Sequence, residues 1–173
     1  MEQSVKNCIK ESVKSFNLPR YDAIPDVGLY LEQVTRYICD YLEPLEISIT
    51  TSMVGNYVKK GLIANPVRKL YSREQVAYLI FIAVAKTVLS LEDIQLLIGL
   101  QRKTYSPKVA YDYFCREFKN VLDFVFDLKN TLQEVGSEHS DERIMLRNTI
   151  ITVAYKVYLD KCFSVLAKEE EHL

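Results

Sequence analysis

The stretch TSMVGNYVKKGLIANPVRKLYSREQVAYL, residues 51–79, decides the fold. Thr50 or Thr51 can cap a short helix, Met53, Val54, Tyr57 and Val58 give that helix its apolar positions, and Gly61 can take the left-handed closing position. Met53, Val54 and Val58 are expected to face a core. Residues 62–70 hold Pro66, Arg68 and Lys69 and are too short and polar for a helix, so a small loop or strand ribbon is expected there. Ser72-Arg73-Glu74-Gln75 then has the form of a capping box, in which the Ser oxygen accepts from the third helical amide and the Gln reaches back. The apolar helix that begins there is expected to run to Leu89. Ser90-Leu91-Glu92-Asp93 repeats the capping logic at once, with Leu91, Ile94, Leu97 and Ile98 on one side, so two helices meet at a sharp corner.

Toward the amino end, Leu31, Val34, Tyr37, Ile38, Tyr41 and Leu42 recur at helical spacing, and Pro44 ends an amphipathic helix expected from Val27 to about Leu42. Pro19 and Pro25 mark an extended connector over 18–26. Before it, Val5, Ile9, Val13 and Phe16 form a weak helical face on a charged arm that can dock or fray. Toward the carboxyl end, Tyr111, Phe114, Phe118, Val121, Val125, Leu128, Leu132 and Val135 alternate in steps of three and four. That seam predicts one helix of roughly 28 residues, on the order of 40 Å long. A turn is expected at 136–140, then a second long helix from about Asp141 to Lys168 with its seam at Ile144, Ile151, Tyr155, Tyr158, Cys162 and Val165. Its middle, 150–159, is more apolar than one face of a hairpin can use, so the preceding helices or a second copy of the chain must cover it.

Composition narrows the class. Among 173 residues there are only five Gly and five Pro, too few turn residues for an all-β sandwich or barrel, so an all-α chain is expected. The longest apolar run, Val76–Ala85, is about half a membrane span, and the amino terminus lacks the apolar core of a signal peptide, so a cytoplasmic protein without membrane insertion is expected. Cys8, Cys39, Cys115 and Cys162 lie far apart with no His at ligand spacing, which predicts reduced, buried thiols and no metal site. No G-x-S-x-G, phosphate-binding glycine loop with Lys, or H-E-x-x-H is present, and neither His139 nor His172 has an evident catalytic partner. No catalytic residue and no cofactor is expected, and the chain is read as a non-enzyme.

The net charge is only −1, but its distribution is uneven. Residues 1–46 and 74–173 each carry a net −3, whereas 47–73 hold five basic residues and no acidic one. A short helix with Ser and Thr at its amino end, followed by Lys59, Lys60 and a basic ribbon, is how a winged helix-turn-helix grips double-stranded DNA. The recognition helix is expected at about 51–60, in the major groove, and the wing at 62–71, on the backbone. Thr51, Ser52 and Asn56 are the residues expected at base edges. Lys59, Lys60, Arg68, Lys69 and Arg73 are expected on phosphates.

Three motifs resemble the DNA-binding domain of MerR-type regulators: Gly61-Leu62-Ile63, Tyr71-Ser72, and Ser90-Leu91-Glu92-Asp93-Ile94, within residues 48–100. The whole chain, with LPRYD near position 20 and VGLYLEQV ahead of the motif, also resembles a family of bacterial proteins known only as a domain of unknown function. The MerR resemblance implies that Tyr57 and Tyr71 flank the wing and join the DNA-contacting set, and that the C-terminal helices supply a dimer contact. The chain departs from that pattern at Gly55, where an Arg is usual, at Asn56, where an aromatic is usual, and in its shorter wing. The expected organisation is therefore an arm and connector over 1–26, a MerR-like winged helix-turn-helix domain over 27–104, and a long antiparallel helical hairpin over 107–168 for dimerisation or effector binding. The expected partners are double-stranded DNA and a second copy of the chain, with a small-molecule effector allowed for. The alternative is a helical protein-interaction module of winged-helix shape, with Tyr111, Phe114 and Phe118 as its partner groove.

Overall fold

The computed structural model describes residues 3–135 and 140–170. The fold is all-α. Its helices are α1 (Gln3–Lys14), α2 (Leu31–Leu42), α3 (Thr51–Lys59), α4 (Arg73–Ala85), α5 (Leu91–Thr104), α6 (Pro107–Val125) and α7 (Asp141–Glu170). Extended pairing among the described residues is limited to two bridges, Leu29 with Tyr71 and Val67 with Leu70.

The helix starts follow local chemistry. Thr50, Ser72, Ser90 and Ser106 each cap a helix by accepting from the third helical amide, and Gln75 completes the capping box at α4 with a 2.8 Å bond from the Ser72 amide. α2 begins at Leu31, four residues later than periodicity suggests. Gly28 has a φ of +75°, and Leu29 is held extended by reciprocal bonds of 3.0 and 2.8 Å to Tyr71. α4 closes at Ala85 rather than Leu89, in turns over 86–89.

α4 is apolar on all sides because it is the central helix. Val76, Leu79, Ile80 and Ile82 are fully buried among α2, α6 and α7. One hydrophobic cluster takes in residues of every helix, from Ile9 in α1 through Val54 in α3 and Phe118 in α6 to Val153 in α7. The amino-terminal arm docks: Ile9, Val13 and Phe16 are buried, and Phe16 meets Phe118 edge-on at 5.9 Å. No described helix is long and apolar enough to cross a membrane. Cys115 and Cys162 are buried and Cys39 half-buried, but Cys8 lies exposed on the outer side of α1, contrary to expectation. Burial pushes the Cys115 thiol up to about 12, which keeps it protonated and inert.

The C-terminal third departs most from the expected antiparallel hairpin. α6 stops at Val125 although the apolar spacing continues. Asp127 adopts a φ of +56°, its amide donates to the Phe124 carbonyl at 3.1 Å, and the Leu128 amide donates to the Asp123 carbonyl at 2.7 Å. These are the two bonds of a Schellman stop, formed here around Asp instead of Gly. Leu128, Leu132 and Val135 therefore belong to a non-helical return segment. Asn120 Nδ2 donates to the Gln133 carbonyl at 2.8 Å, and the Arg143 guanidinium donates to the Val135 carbonyl. The return carries the chain back beside α6, so α7 starts at the same end as α6 and runs parallel to it. Cross-pairs ascend together: Tyr105 with Ser140 (3.2 Å), Tyr113 under Arg143 (4.4 Å), Glu117 with Arg147 (3.2 Å) and Phe126 with Tyr158 (5.4 Å). Most of the expected turn at 136–140, with His139, and the terminal His172 lie outside the described residues.

The parallel packing also shifts the buried face of α7. Leu146, Ile150, Val153, Val157 and Lys161 form the inward row, whereas the expected seam residues Ile144 and Tyr155 are each 49% exposed. Replacing Asp127 by Gly is expected to stabilise the protein by about 0.5–1 kcal/mol, because Gly relieves the left-handed strain at that stop. Urea denaturation reads this directly; a loss of stability would mean that the carboxylate, paired with Lys10 at 3.6 Å, matters more than the backbone.

Candidate nucleic-acid interface

The carboxylate-free segment 47–73 forms α3 and the hairpin turn after it. Thr50 Oγ1 accepts from the Met53 amide at 3.2 Å, so the cap is taken by Thr50, and Thr51 and Ser52 are left exposed in the first turn. Val54 and Tyr57 anchor the inner face, and Met53 and Val58 are half-buried against the core. The outer face is Ser52, Gly55, Asn56 and Lys59. A Cβ built on Gly55 meets nothing within 4 Å, so nothing inside the chain requires a glycine there. Gly61, with a φ of +76°, ends the helix as expected, and its amide donates to the Val58 carbonyl at 3.0 Å.

Val67 and Leu70 exchange both hydrogen bonds, 3.1 and 2.9 Å, around a two-residue turn formed by Arg68 and Lys69. Both turn residues have left-handed φ, 52° and 66°, and both are exposed. A two-residue hairpin of this hand favours Asn-Gly. The ribbon is therefore real but minimal, and two consecutive cations occupy its strained tip.

The expected cations divide into two groups. Among the described residues, Lys59, Arg68 and Lys69 form no ion pair. Lys60 pairs with Glu92 at the start of α5, 3.0 Å away, and the Lys60 ammonium holds the Glu92 carboxyl below the usual carboxylate range. Arg73 is turned inward: its Nε donates to the Ile24 carbonyl at 2.9 Å, and Asp22 and Asp26 stand 3.8 Å away. It ties α4 to the connector and is not offered at the surface. Tyr57 and Tyr71, expected beside the wing, are only 1% and 5% exposed. Tyr57 packs under α3, and Tyr71 is fixed by its bridge to Leu29. Both are supports in the fold as it stands: Tyr57 is part of the core beneath α3, and Tyr71 sits where the ribbon folds back onto the segment just before α2.

A second surface is apolar. Leu96 is 68% exposed on α5, and Tyr155, Leu159 and Phe163 are 48–63% exposed on α7. Val88, Leu89, Leu100 and Met145 line the groove between the two helices. Leu96 and Leu100 lie outside the row Leu91, Ile94, Leu97 and Ile98 expected on one side of α5, and only the tertiary packing placed them beside α7. By contrast, Tyr111, Phe114 and Phe118, the expected partner groove of the alternative reading, are core residues at 5%, 2% and 0% exposure.

No curated protein and no solved structure matches this chain. A family model described as a domain of unknown function, DUF1836, matches residues 19–114, from the connector through α2–α5 into α6. That match spans more than half of the sequence, and the chain belongs to this family.

Proposed function

We propose that this protein is a non-enzymatic, sequence-specific DNA-binding regulator of MerR-like winged helix-turn-helix design, with α3 in the major groove and the 62–71 ribbon as a wing on the backbone. The observation that carries the reading is the tip of that ribbon. Arg68 and Lys69 sit in left-handed backbone without a carboxylate partner among the described residues, beyond a helix whose outer face is Ser52, Gly55, Asn56 and Lys59. A two-residue hairpin needs left-handed backbone at both turn positions, and filling them with Arg and Lys instead of Asn and Gly gives up stability for two exposed cations suited to phosphates. Thr51, Ser52 and Asn56 would reach base edges, and Lys59, Arg68 and Lys69 would hold phosphates; Lys60 could join them by leaving Glu92, an exposed pair worth little. Sequencing the DNA fragments retained by the purified protein at two salt concentrations tests the reading. Enrichment of one motif is expected, and absence of any binding at low salt overturns it.

Gly55 makes a sharper test. Gly55→Gln should preserve the fold and add about 0.5–1 kcal/mol of helix stability, since an exposed helical Gly is unfavourable. It should change DNA affinity in an anisotropy titration, because residue 55 lies on the outer face of α3, at the position where the resembled pattern carries a long polar side chain. Unchanged affinity would place α3 away from the DNA.

The regulator is proposed to act as a homodimer through the exposed apolar residues of α5 and α7. Leu96 on α5 and Tyr155, Leu159 and Phe163 along one side of α7 are 48–68% exposed, which suits an isologous contact. Leu159→Glu with Phe163→Glu should convert a dimer to a monomer by light scattering, with the circular dichroism spectrum retained. A wild-type monomer at high micromolar concentration would instead favour a heterologous partner, the protein-interaction reading.

A further inference from the structure

Where α4, α5, α6 and α7 meet, the core is not filled. A cavity of about 40 Å³ lies among Ala77, Phe81, Ile98, Ala110, Phe114 and Leu146, with Tyr78 and Arg102 at its rim. Native cores hold few voids larger than a water, and a water needs about 10–15 Å³ together with two to four polar partners. The space here is larger than that, and the residues facing it are mostly aliphatic or aromatic. One larger side chain in place of Ala77 or Ala110 would close it.

The rim has a different chemistry. The Arg102 guanidinium lies over the Tyr78 ring at 4.3 Å, and its Nε donates to the Tyr78 hydroxyl at 2.9 Å. These contacts orient the cation. Its carboxylate neighbour, Glu74, is 4.0 Å from Nη2, the outer limit of an ion pair, and both side chains are nearly half exposed. A guanidinium held in one orientation, loosely paired and set at the mouth of an apolar space, is suited to a carboxylate with a short apolar tail.

Volume sets the size of that tail. A cavity of roughly 150 Å³ takes up benzene in another protein core, so a space near 40 Å³ admits about one or two carbons and no ring or branched tail. We infer that this cavity is a binding site for a short unbranched aliphatic carboxylate of the size of propionate, with the tail between α4 and α6 and the head on Arg102.

The site also has a structural route to the proposed DNA surface, and this part rests on the DNA-binding reading. α4 starts directly after the basic ribbon, and Glu92 of α5 holds Lys60 at the end of α3. A molecule wedged between these helices and α6–α7 bears on α4, whose Gln75 Nε2 donates to the Ala64 carbonyl of the ribbon, and on α5, whose Glu92 holds Lys60. Occupancy can change DNA affinity only if the two states bind DNA differently.

The full-length protein is titrated with propionate and with its neutral amide at constant ionic strength, following Tm. A saturable rise with propionate and a much smaller one with the amide are expected. Arg102→Gln should weaken propionate about tenfold or more, to the level of the amide, the size of one lost charge-assisted pair. Ala110→Leu should abolish both responses while remaining folded, and Ala77→Val serves the same purpose if the first variant is overpacked. No saturable response to propionate, or an equal response in the filled variants, overturns the site. DNA binding is then measured with and without propionate. A Tm response without any DNA binding keeps the cavity site and removes the DNA reading; DNA binding that propionate leaves unaltered, with the Tm response intact, removes the coupling alone.

Discussion

Replacing Arg68 and Lys69 by Asn and Gly is expected to make the protein more stable and a poorer DNA binder at once. The two residues have φ values of 52° and 66°, and left-handed backbone costs an ordinary L-residue roughly 1–2 kcal/mol. Asn tolerates that region and Gly enters it freely, so the two-residue hairpin between Val67 and Leu70 should gain about 1–2 kcal/mol overall. Nothing in the core changes, because both side chains are exposed and neither forms an ion pair among the described residues. Two phosphate contacts, by contrast, would be lost. The slope of log affinity against log salt should fall by about two, with affinity lower on the order of tenfold or more and nearly uniformly across sequences. Chemical denaturation and anisotropy at several salt concentrations measure the two effects separately. Higher stability with an unaltered salt slope would remove the ribbon from the interface and leave its strain without a purpose.

The second large effect concerns Glu117, fully buried on α6 and facing α7. Arg147 Nε stands 3.2 Å from one carboxylate oxygen, yet neither oxygen receives a well-directed hydrogen bond among the described residues. Burial outweighs the pull of Arg147 and Arg143, so the carboxyl is held above its ordinary value. The native state thus keeps this proton at pH values where the unfolded chain has released it, and stability should fall as pH rises from the ordinary carboxylate range through the native value. Arg147→Met removes the nearest compensating charge. At pH 7 it should cost about 3–5 kcal/mol, the usual penalty for leaving a buried charge unpaired. Much of that loss should be recovered at pH 5, because acid favours the uncharged Glu117 carboxyl that burial already favours, and Glu117→Gln in the same background should flatten the difference. Urea denaturation at the two pH values decides it; an equal loss at both would assign the effect to packing of the arginine stem.

The legible parts of this molecule share one property. Caps at Thr50, Ser72 and Ser90 act on amides three residues away, and Gly61 closes its own helix, so each could be read from a short window. The all-α class and the central position of α4 followed from few turn residues and an apolar run without a polar face. The cationic segment was legible because charge is a property of composition. Its division was not: Arg73 is bound to Ile24, Asp22 and Asp26, forty-seven or more residues earlier in the chain, and Lys60 pairs with Glu92 across a helix. Tyr57 and Tyr71 look alike to a polar surface and to a core, and burial resolved them only because α3 and the Leu29 bridge cover them.

By itself, the sequence determined the approximate places of the helices, the caps at Ser72 and Ser90, the all-α class and the location of the one carboxylate-free basic segment, because those depend on composition and on interactions within a few residues. Only the tertiary structure decided that α6 ends at Val125, closed off by Asp127, and that α7 runs parallel to it, leaving Tyr155, Leu159 and Phe163 outward. The spacing of Leu128, Leu132 and Val135 satisfies a continued helix and a return segment equally well. What separates the two is the Schellman stop, fixed by the carbonyls of Asp123 and Phe124, and the side chains of Asn120 and Arg143, which take up the carbonyls of the returning chain. Those bonds join residues that periodicity treats as independent, and they form only once both helices are in place.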